Sequence, residues 1–246
     1  MKLKDKVALI TGASGGIGEA IAQAFAKKKS RLILHAKNED SIKELAFLCN
    51  RKVECMTVSA DFQNIIEITQ MFEKIGKKYR TLDVLVNVSG IERTYMDPLD
   101  THEWKEVLDV NLFGAVECTR EALRKMNGGG VIINISSVAG KPGVAYFGES
   151  LSYSISKAAL NTFSENLAVM LAPRIRVVSI SPGYTLTPMW KFSSEKEKRE
   201  YEEKIPLKRF ITPKEVAQAV IAVAENDAIT GTNIVVDAGL TLKELG

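Results

Sequence analysis

Seven short runs of apolar, often β-branched residues recur along the 246-residue chain, at 7–10, 32–34, 53–58, 82–88, 131–135, 175–180 and 233–236. Longer segments with helical periodicity lie between them. Ile65, Ile68, Met71, Phe72 and Ile75 form one apolar stripe, and Trp104, Val107, Leu108, Leu112 and Val116 contribute to another. Ile17-Gly18 followed by Ala20, Ile21, Ala24 and Phe25 begins the first. Strands that are apolar throughout are buried on both faces, as in a parallel sheet. Strand alternating with helix therefore predicts an α/β fold: a doubly wound parallel sheet with helices on both faces. At 46% hydrophobic content the chain can bury one large core, so a single domain over residues 1–246 is expected. No repeat, low-complexity segment or linker interrupts it.

Other function classes find little support. A net charge of +3 is too mild to argue for nucleic acid. No apolar run approaches a membrane span. The start, Met1-Lys2-Leu3-Lys4-Asp5-Lys6, carries an acid and lacks a long apolar stretch behind it, so it is not read as a signal peptide. The three cysteines, Cys49, Cys55 and Cys118, lack metal-ligand spacing, and only His35 and His102 could join them. Reduced thiols in a cytoplasmic protein without a metal are expected.

Two local motifs carry chemistry. The first strand runs directly into Thr11-Gly12-Ala13-Ser14-Gly15-Gly16-Ile17-Gly18 and then a helix. Glycines permit a tight turn and close backbone approach to a pyrophosphate, and the helix N-terminal amides then face the anion. A purely structural loop is the alternative. Downstream, Tyr153 and Lys157 stand four apart, which places them on one helical face. A free phenol has a pKa of about 10, and a neighbouring ammonium lowers it at about 1.4 kcal/mol per unit. Alone, such a pair also arises by chance in helices.

Together, Thr-Gly-x-x-x-Gly-x-Gly and Tyr-x-x-x-Lys resemble the short-chain dehydrogenases/reductases, and the resemblance covers essentially the whole chain. It implies a seven-stranded Rossmann fold. Asp61, followed by Phe62, matches the aspartate that contacts adenine. Asn87-Val88-Ser89-Gly90 falls where the family has Asn-Asn-Ala-Gly. Asn111 matches the tetrad asparagine, and Ser137 the catalytic serine at a strand end, with Ser136 read as structural. Pro182, Gly183, Thr185 and Thr187 resemble the segment at the nicotinamide end. The implied mechanism has Tyr153 as proton donor and Lys157 as its pKa modulator and ribose ligand. Ser137 hydrogen-bonds the carbonyl oxygen, and Asn111 holds a water. Ser14, Gly15, Gly16 and Ile17 complete the pyrophosphate turn between Gly12 and Gly18. A homotetramer or homodimer is also implied.

Three departures stand out. Val88 replaces the second asparagine, which raises a packing question. Lys29 stands where a helix-ending glycine is usual. The segment between Ser137 and Tyr153, which includes Tyr146 (read as a pocket or core residue), is longer than is typical. At the end of the second strand, Ala36 occupies the position of an NAD-selecting acid, and Lys37-Asn38 follows. Lys37 beside a 2′-phosphate favours NADP(H) over NAD(H); an ordinary exposed lysine is the alternative, and His35 is read as a packed strand-end residue. Residues 193–204 are charge-dense, so a surface helix or part of a substrate lid spanning 189–209 is expected. Ile205-Pro206-Leu207-Lys208-Arg209-Phe210 resembles the 3-oxoacyl-carrier-protein reductase branch. Ketone reduction is the leading expectation, with possible substrates including an acyl thioester. A dinucleotide sensor without turnover and an NAD-dependent alcohol or sugar dehydrogenase are the alternatives.

Overall fold

The computed structural model describes residues 1–93, 97–142 and 150–242, save the side chains of Met189 and Phe192. All seven expected strands form: β1 (Val7–Ile10), β2 (Arg31–Ala36), β3 (Cys55–Ser59), β4 (Val84–Asn87), β5 (Gly130–Ile135), β6 (Ile175–Pro182) and β7 (Asn233–Val236). They make one sheet in the order β3-β2-β1-β4-β5-β6-β7, every pair parallel. The winding reverses between β1 and β4, which opens a crevice beyond their carboxyl ends. Two expected runs are trimmed. Val53 and Glu54 precede β3, and Leu82, Asp83 and Val88 flank β4. The Asp83 carboxylate accepts from the Val7 N–H at 2.9 Å and from Lys6 at 2.8 Å, so it braces the entrance to β1 from outside β4.

The helices are α1 (Gly16–Lys27), α2 (Lys43–Asn50), α3 (Ile65–Lys78), α4 (Thr101–Leu108), α5 (Gly114–Leu123), α6 (Leu151–Leu171), α7 (Glu195–Glu203) and α8 (Pro213–Glu225). Strand side chains alternate between two cores. Ala8, Ile10 and Leu34 pack with Ile21 and Phe25 of α1 and with Val216 and Val220 of α8. Val7, Leu9 and Ile33 pack with Ile68 and Phe72 of α3, Cys118 of α5 and Leu167 of α6. The stripe from Trp104 to Val116 is one helical path, but a π turn at Asp109–Phe113 joins α4 to α5. Such turns displace a helix face locally and are frequent at functional sites; this one carries Asn111.

Val88 resolves its packing question by lying partly buried against the α1/α8 core. The central sheet is bridged elsewhere: Asn87 Nδ2 donates to Asn134 Oδ1, and Asn134 Nδ2 to Ser164 Oγ, both at 2.8 Å. Lys29 adopts φ 64°, the left-handed region where glycine is easiest. Cys49, Cys55 and Cys118 are buried free thiols. Among the described residues no helix is long and apolar enough to cross a membrane.

Candidate active site

A cleft of about 600 Å³ lies at the carboxyl ends of β1 and β4. Its floor at one end is the glycine turn. Gly12 has φ +60°, and a Cβ there would sit 2.8 Å from the Ser89 nitrogen; one on Gly18 would sit 2.2 Å from the Gly12 oxygen. Neither position admits a side chain. Gly15 caps α1 without a side-chain acceptor, which leaves the first-turn amides open to an anion. Ser14, Gly16 and Ile17 also line the cleft.

Two side chains pin this turn. Thr11 Oγ1 accepts from the Val88 and Ser89 amides at 2.9 and 3.1 Å. The Gly12 N–H donates to His35 Nδ1 at 3.3 Å. That assigns the proton to Nε2, which lies 3.0 Å from the Ala60 carbonyl oxygen and donates to it. The His35 ring stacks on Phe62 with centroids 4.4 Å apart. Burial holds its pKa down at about 4, so the imidazole is neutral. His35 is packed, as expected, but it also ties β2 to the turn and to the end of β3.

At the adenosine end, Lys37 Nζ pairs with Asp61 Oδ2 at 2.7 Å. Partial burial works against the Asp61 carboxylate, but the Lys37 ammonium and the Gln63 N–H together hold its pKa below the ordinary value. Lys37, Asp61 and Phe62 all line the cleft. Ala36 is buried at the end of β2. Asn38 spends its side chain capping the next turn, where it accepts from the Asp40 N–H at 2.9 Å.

At the other end, Tyr153 and Lys157 share the first turns of α6, with Lys157 Nζ 5.6 Å from the Tyr153 ring centroid. Both line the cleft, with Ser89 and Gly90 opposite. Lys157 Nζ donates to the Ile135 carbonyl at 3.0 Å, and burial lowers its pKa to about 8. A Cβ on Gly90 would meet that ammonium at 3.2 Å and Asn111 Oδ1 at 3.3 Å. Asn111 Oδ1 accepts from the Ile91 N–H at 2.7 Å; its Nδ2 donates to the Ile91 carbonyl at 2.9 Å and to Ser156 Oγ at 3.0 Å. Its side chain thus clamps the loop after β4 onto α6. Ser137 follows β5 and accepts from the Ala139 N–H at 3.1 Å, which leaves its own hydroxyl hydrogen to donate. Ser136 Oγ donates to the Lys157 carbonyl at 3.0 Å, the structural role expected of it. Asn87 lies beneath the cleft in its bridge to Asn134.

Another bank of the cleft follows β6. Gly183 and Thr185 are joined by a Thr185 Oγ1 bond to the Gly183 carbonyl at 2.9 Å, and beyond Pro182 the chain reaches Thr187 and Pro188 at the cleft wall. The charge-dense segment is helix α7, which buries no residue of its own. It is docked by rings: Tyr201 lies 5.1 Å from Tyr184 and 5.0 Å from Trp190, and Trp190 lies 4.6 Å from Phe210. Tyr146 lies outside the described residues.

Some site residues were not legible in the sequence. Glu92 lines the cleft two positions after Gly90. The buried Glu103 accepts from Ser152 Oγ at 2.8 Å, next to Tyr153. Ser156 could have been found from its helical spacing of three from Tyr153; Glu92 and Glu103 had no such signal.

Comparison with known proteins shows the family. The family described as enoyl-(acyl carrier protein) reductase matches residues 12–241. The 3-oxoacyl-[acyl-carrier-protein] reductase FabG of Aquifex aeolicus is 38% identical over 98% of this chain and 99% of its own. FabG of Thermotoga maritima is 34% identical over 98% and 100%. Among solved structures, the NADP complex of Pseudomonas aeruginosa RhlG superposes with a TM-score of 0.90 at 26% identity, covering 97% of each chain. An actinorhodin polyketide ketoreductase variant with NADPH gives 0.89 at 29% identity over 97% of this chain and 98% of that one. The chain belongs to the short-chain dehydrogenase/reductase family, as an NAD(P)-dependent oxidoreductase acting on CH–OH and C=O groups.

Proposed function

We propose that the enzyme reduces a ketone with NADPH, and that a 3-oxoacyl thioester is the substrate class. The observation that carries the reading is Lys157: a buried ammonium lies against the Tyr153 ring at the opposite end of one cleft from a turn that only glycines can make. The cradle fits a dinucleotide, since Gly12 and Gly18 admit no Cβ and the α1 amides are uncapped. A bound nicotinamide supplies the hydride. Tyr153 Oη donates the proton to the carbonyl oxygen as general acid. The Lys157 ammonium favours the phenolate left behind and would hold the ribose hydroxyls of a bound dinucleotide. Ser137 donates to the same carbonyl oxygen, where negative charge develops. Asn111 Nδ2 gives both hydrogens to Ile91 and Ser156, while Oδ1 accepts one bond and keeps a lone pair. A water serving Lys157 would use that lone pair of Asn111 Oδ1.

Lys37 supports the preference for NADPH, with Asp61 sharing its charge. The same reading includes a homodimer or homotetramer. Exposed Leu151, Ile155, Val169 and Met170 on α6, together with Phe113 on the π turn, supply apolar surface for one. The substrate class follows from the relatives' names. Oxidation of NADPH and NADH is followed with an acetoacetyl thioester. Wild type is expected to turn over NADPH faster at equal low concentration. Tyr153→Phe is expected to lower kcat by roughly 10²- to 10⁴-fold. Undiminished Tyr153→Phe activity would sink the mechanism, and faster use of NADH would overturn the role of Lys37.

A further inference from the structure

Glu92 is an acid inside the cleft for which proton and hydride transfer have no use. It follows β4 by a few residues and lines the same cleft as Tyr153, Lys157 and Val110. Burial raises its pKa above the usual carboxylate range, and the nearby Ser150 backbone N–H works against that rise. Ser150 is the residue that caps α6, with its Oγ accepting from the Tyr153 N–H at 3.2 Å. The Glu92 carboxyl is therefore anchored on the turn that carries the proton donor.

Among the described residues no cation pairs with it. The adjacent Arg93 directs Nε to Glu106 at 3.3 Å and Nη1 to the Glu92 main-chain carbonyl at 3.5 Å. Lys157 is directed to Ile135. A carboxylate has roughly four acceptor sites, and the Ser150 N–H fills one. A half-buried acceptor with vacant lone pairs, held in place beside the reacting position, is completed by a donor from whatever enters the cleft.

We propose that Glu92 is a specificity-determining residue that selects carbonyl substrates bearing a neutral hydrogen-bond donor, a hydroxyl or an amide N–H, and disfavours those bearing an anion. This rests on the ketone-reduction reading and deepens it. The amide N–H groups of a thioester's pantetheine-like arm are donors of this kind, and the hydroxyl of a hydroxyketone is another.

The test uses matched substrates that differ only in the donor. Hydroxyacetone and 4-hydroxy-2-butanone are compared with their methyl ethers. Acetoacetyl-N-acetylcysteamine is compared with its N-methylated amide. Aminoacetone and acetoacetate supply the cationic and anionic arms. NADPH oxidation gives kcat/KM for wild type, Glu92→Met and Glu92→Gln, with melting temperatures to establish folding. Wild type is expected to favour the donor-bearing member of at least one pair by about tenfold or more, with most of the difference in KM. Glu92→Met is expected to bring that ratio close to one. Glu92→Gln, which keeps an acceptor oxygen, is expected to retain part of it and to improve acetoacetate. A residue that only braces α6 would lower both members of a pair alike, so an unchanged ratio in both variants overturns the proposal. So does a wild-type preference for aminoacetone above every neutral substrate, which would make this a cation-binding site. If wild type reduces the acetoacetyl thioester but shows no donor preference, the inference alone falls. If it reduces none of the ketones, the ketone-reduction reading falls first.

Discussion

At the glycine turn, two positions cannot accept even a methyl group and two side chains lock the backbone from below. Past Thr187 and Pro188, by contrast, α7 buries none of its residues and is held by ring contacts of Tyr184, Trp190, Tyr201 and Phe210. One bank is defined by backbone geometry that few residues satisfy. The other is defined by side-chain packing that many residues could supply. The difference suits a protein whose dinucleotide is a constant and whose substrate is a variable. It also sets how each bank responds to mutation.

The largest effect is expected at Gly18. An added Cβ would lie 2.2 Å from the Gly12 oxygen, a backbone atom that cannot swing aside. Gly18→Ala should cost at least about 3 kcal/mol of stability, or weaken NADPH binding comparably if the turn shifts instead. Denaturation midpoints and a fluorescence titration would read this, and wild-type values in both would erase the contrast between the banks. His35 comes next. Its folded pKa is about 4 against an ordinary 6.5, so between those values the unfolded chain binds a proton that the fold excludes. Stability from this group is complete above pH 6.5 and is lost as pH falls toward 4, by about 3 kcal/mol in all. Urea midpoints at pH 7 and 4.5 should show His35→Gln less stable at pH 7 yet less sensitive to acid. An equal acid loss in both proteins would remove His35 as the cause.

On the other bank the expected effects are smaller and more local. Tyr201→Ala removes the ring that meets both Tyr184 and Trp190 and should release α7 at a cost of about 1–2 kcal/mol. Faster hydrogen exchange across 195–203 with little change in global melting is the expected signature. A large drop in melting temperature would show that α7 belongs to the cooperative core. The smallest effect lies outside both banks. Lys29→Gly relieves a left-handed residue at φ 64° but frees the unfolded chain, for a net gain of about 0.5–1 kcal/mol. Thermal melting would detect it, and destabilisation would show that the lysine side chain outweighs the strain.

The legibility of the sequence follows the same division. Gly12, Gly18, Tyr153 and Lys157 could be found because each position tolerates few residue types and because their spacing is local. The strands were visible because burial on both faces leaves β1 wholly apolar and gives β4 one polar residue, Asn87 at its end. Lys29 was flagged as a misplaced non-glycine, and its φ bears that out. The ion pair of Lys37 with Asp61 was not visible, since it joins the ends of two strands that are neighbours only in the sheet. Nor was the tie of Asn111 to Ile91 and Ser156, which needs the π turn to bring three segments together.

By itself, the sequence determined the alternation of strand and helix, the phosphate-type turn and the phenol–ammonium pair, because these depend on periodicity and on residues close along the chain. Tertiary structure alone decided that His35 is a neutral pin, that Lys157 is buried against the Ile135 carbonyl, and that Glu92 enters the cleft. Those properties depend on which groups lose water and which strand ends become neighbours, and both are settled only when the sheet is assembled.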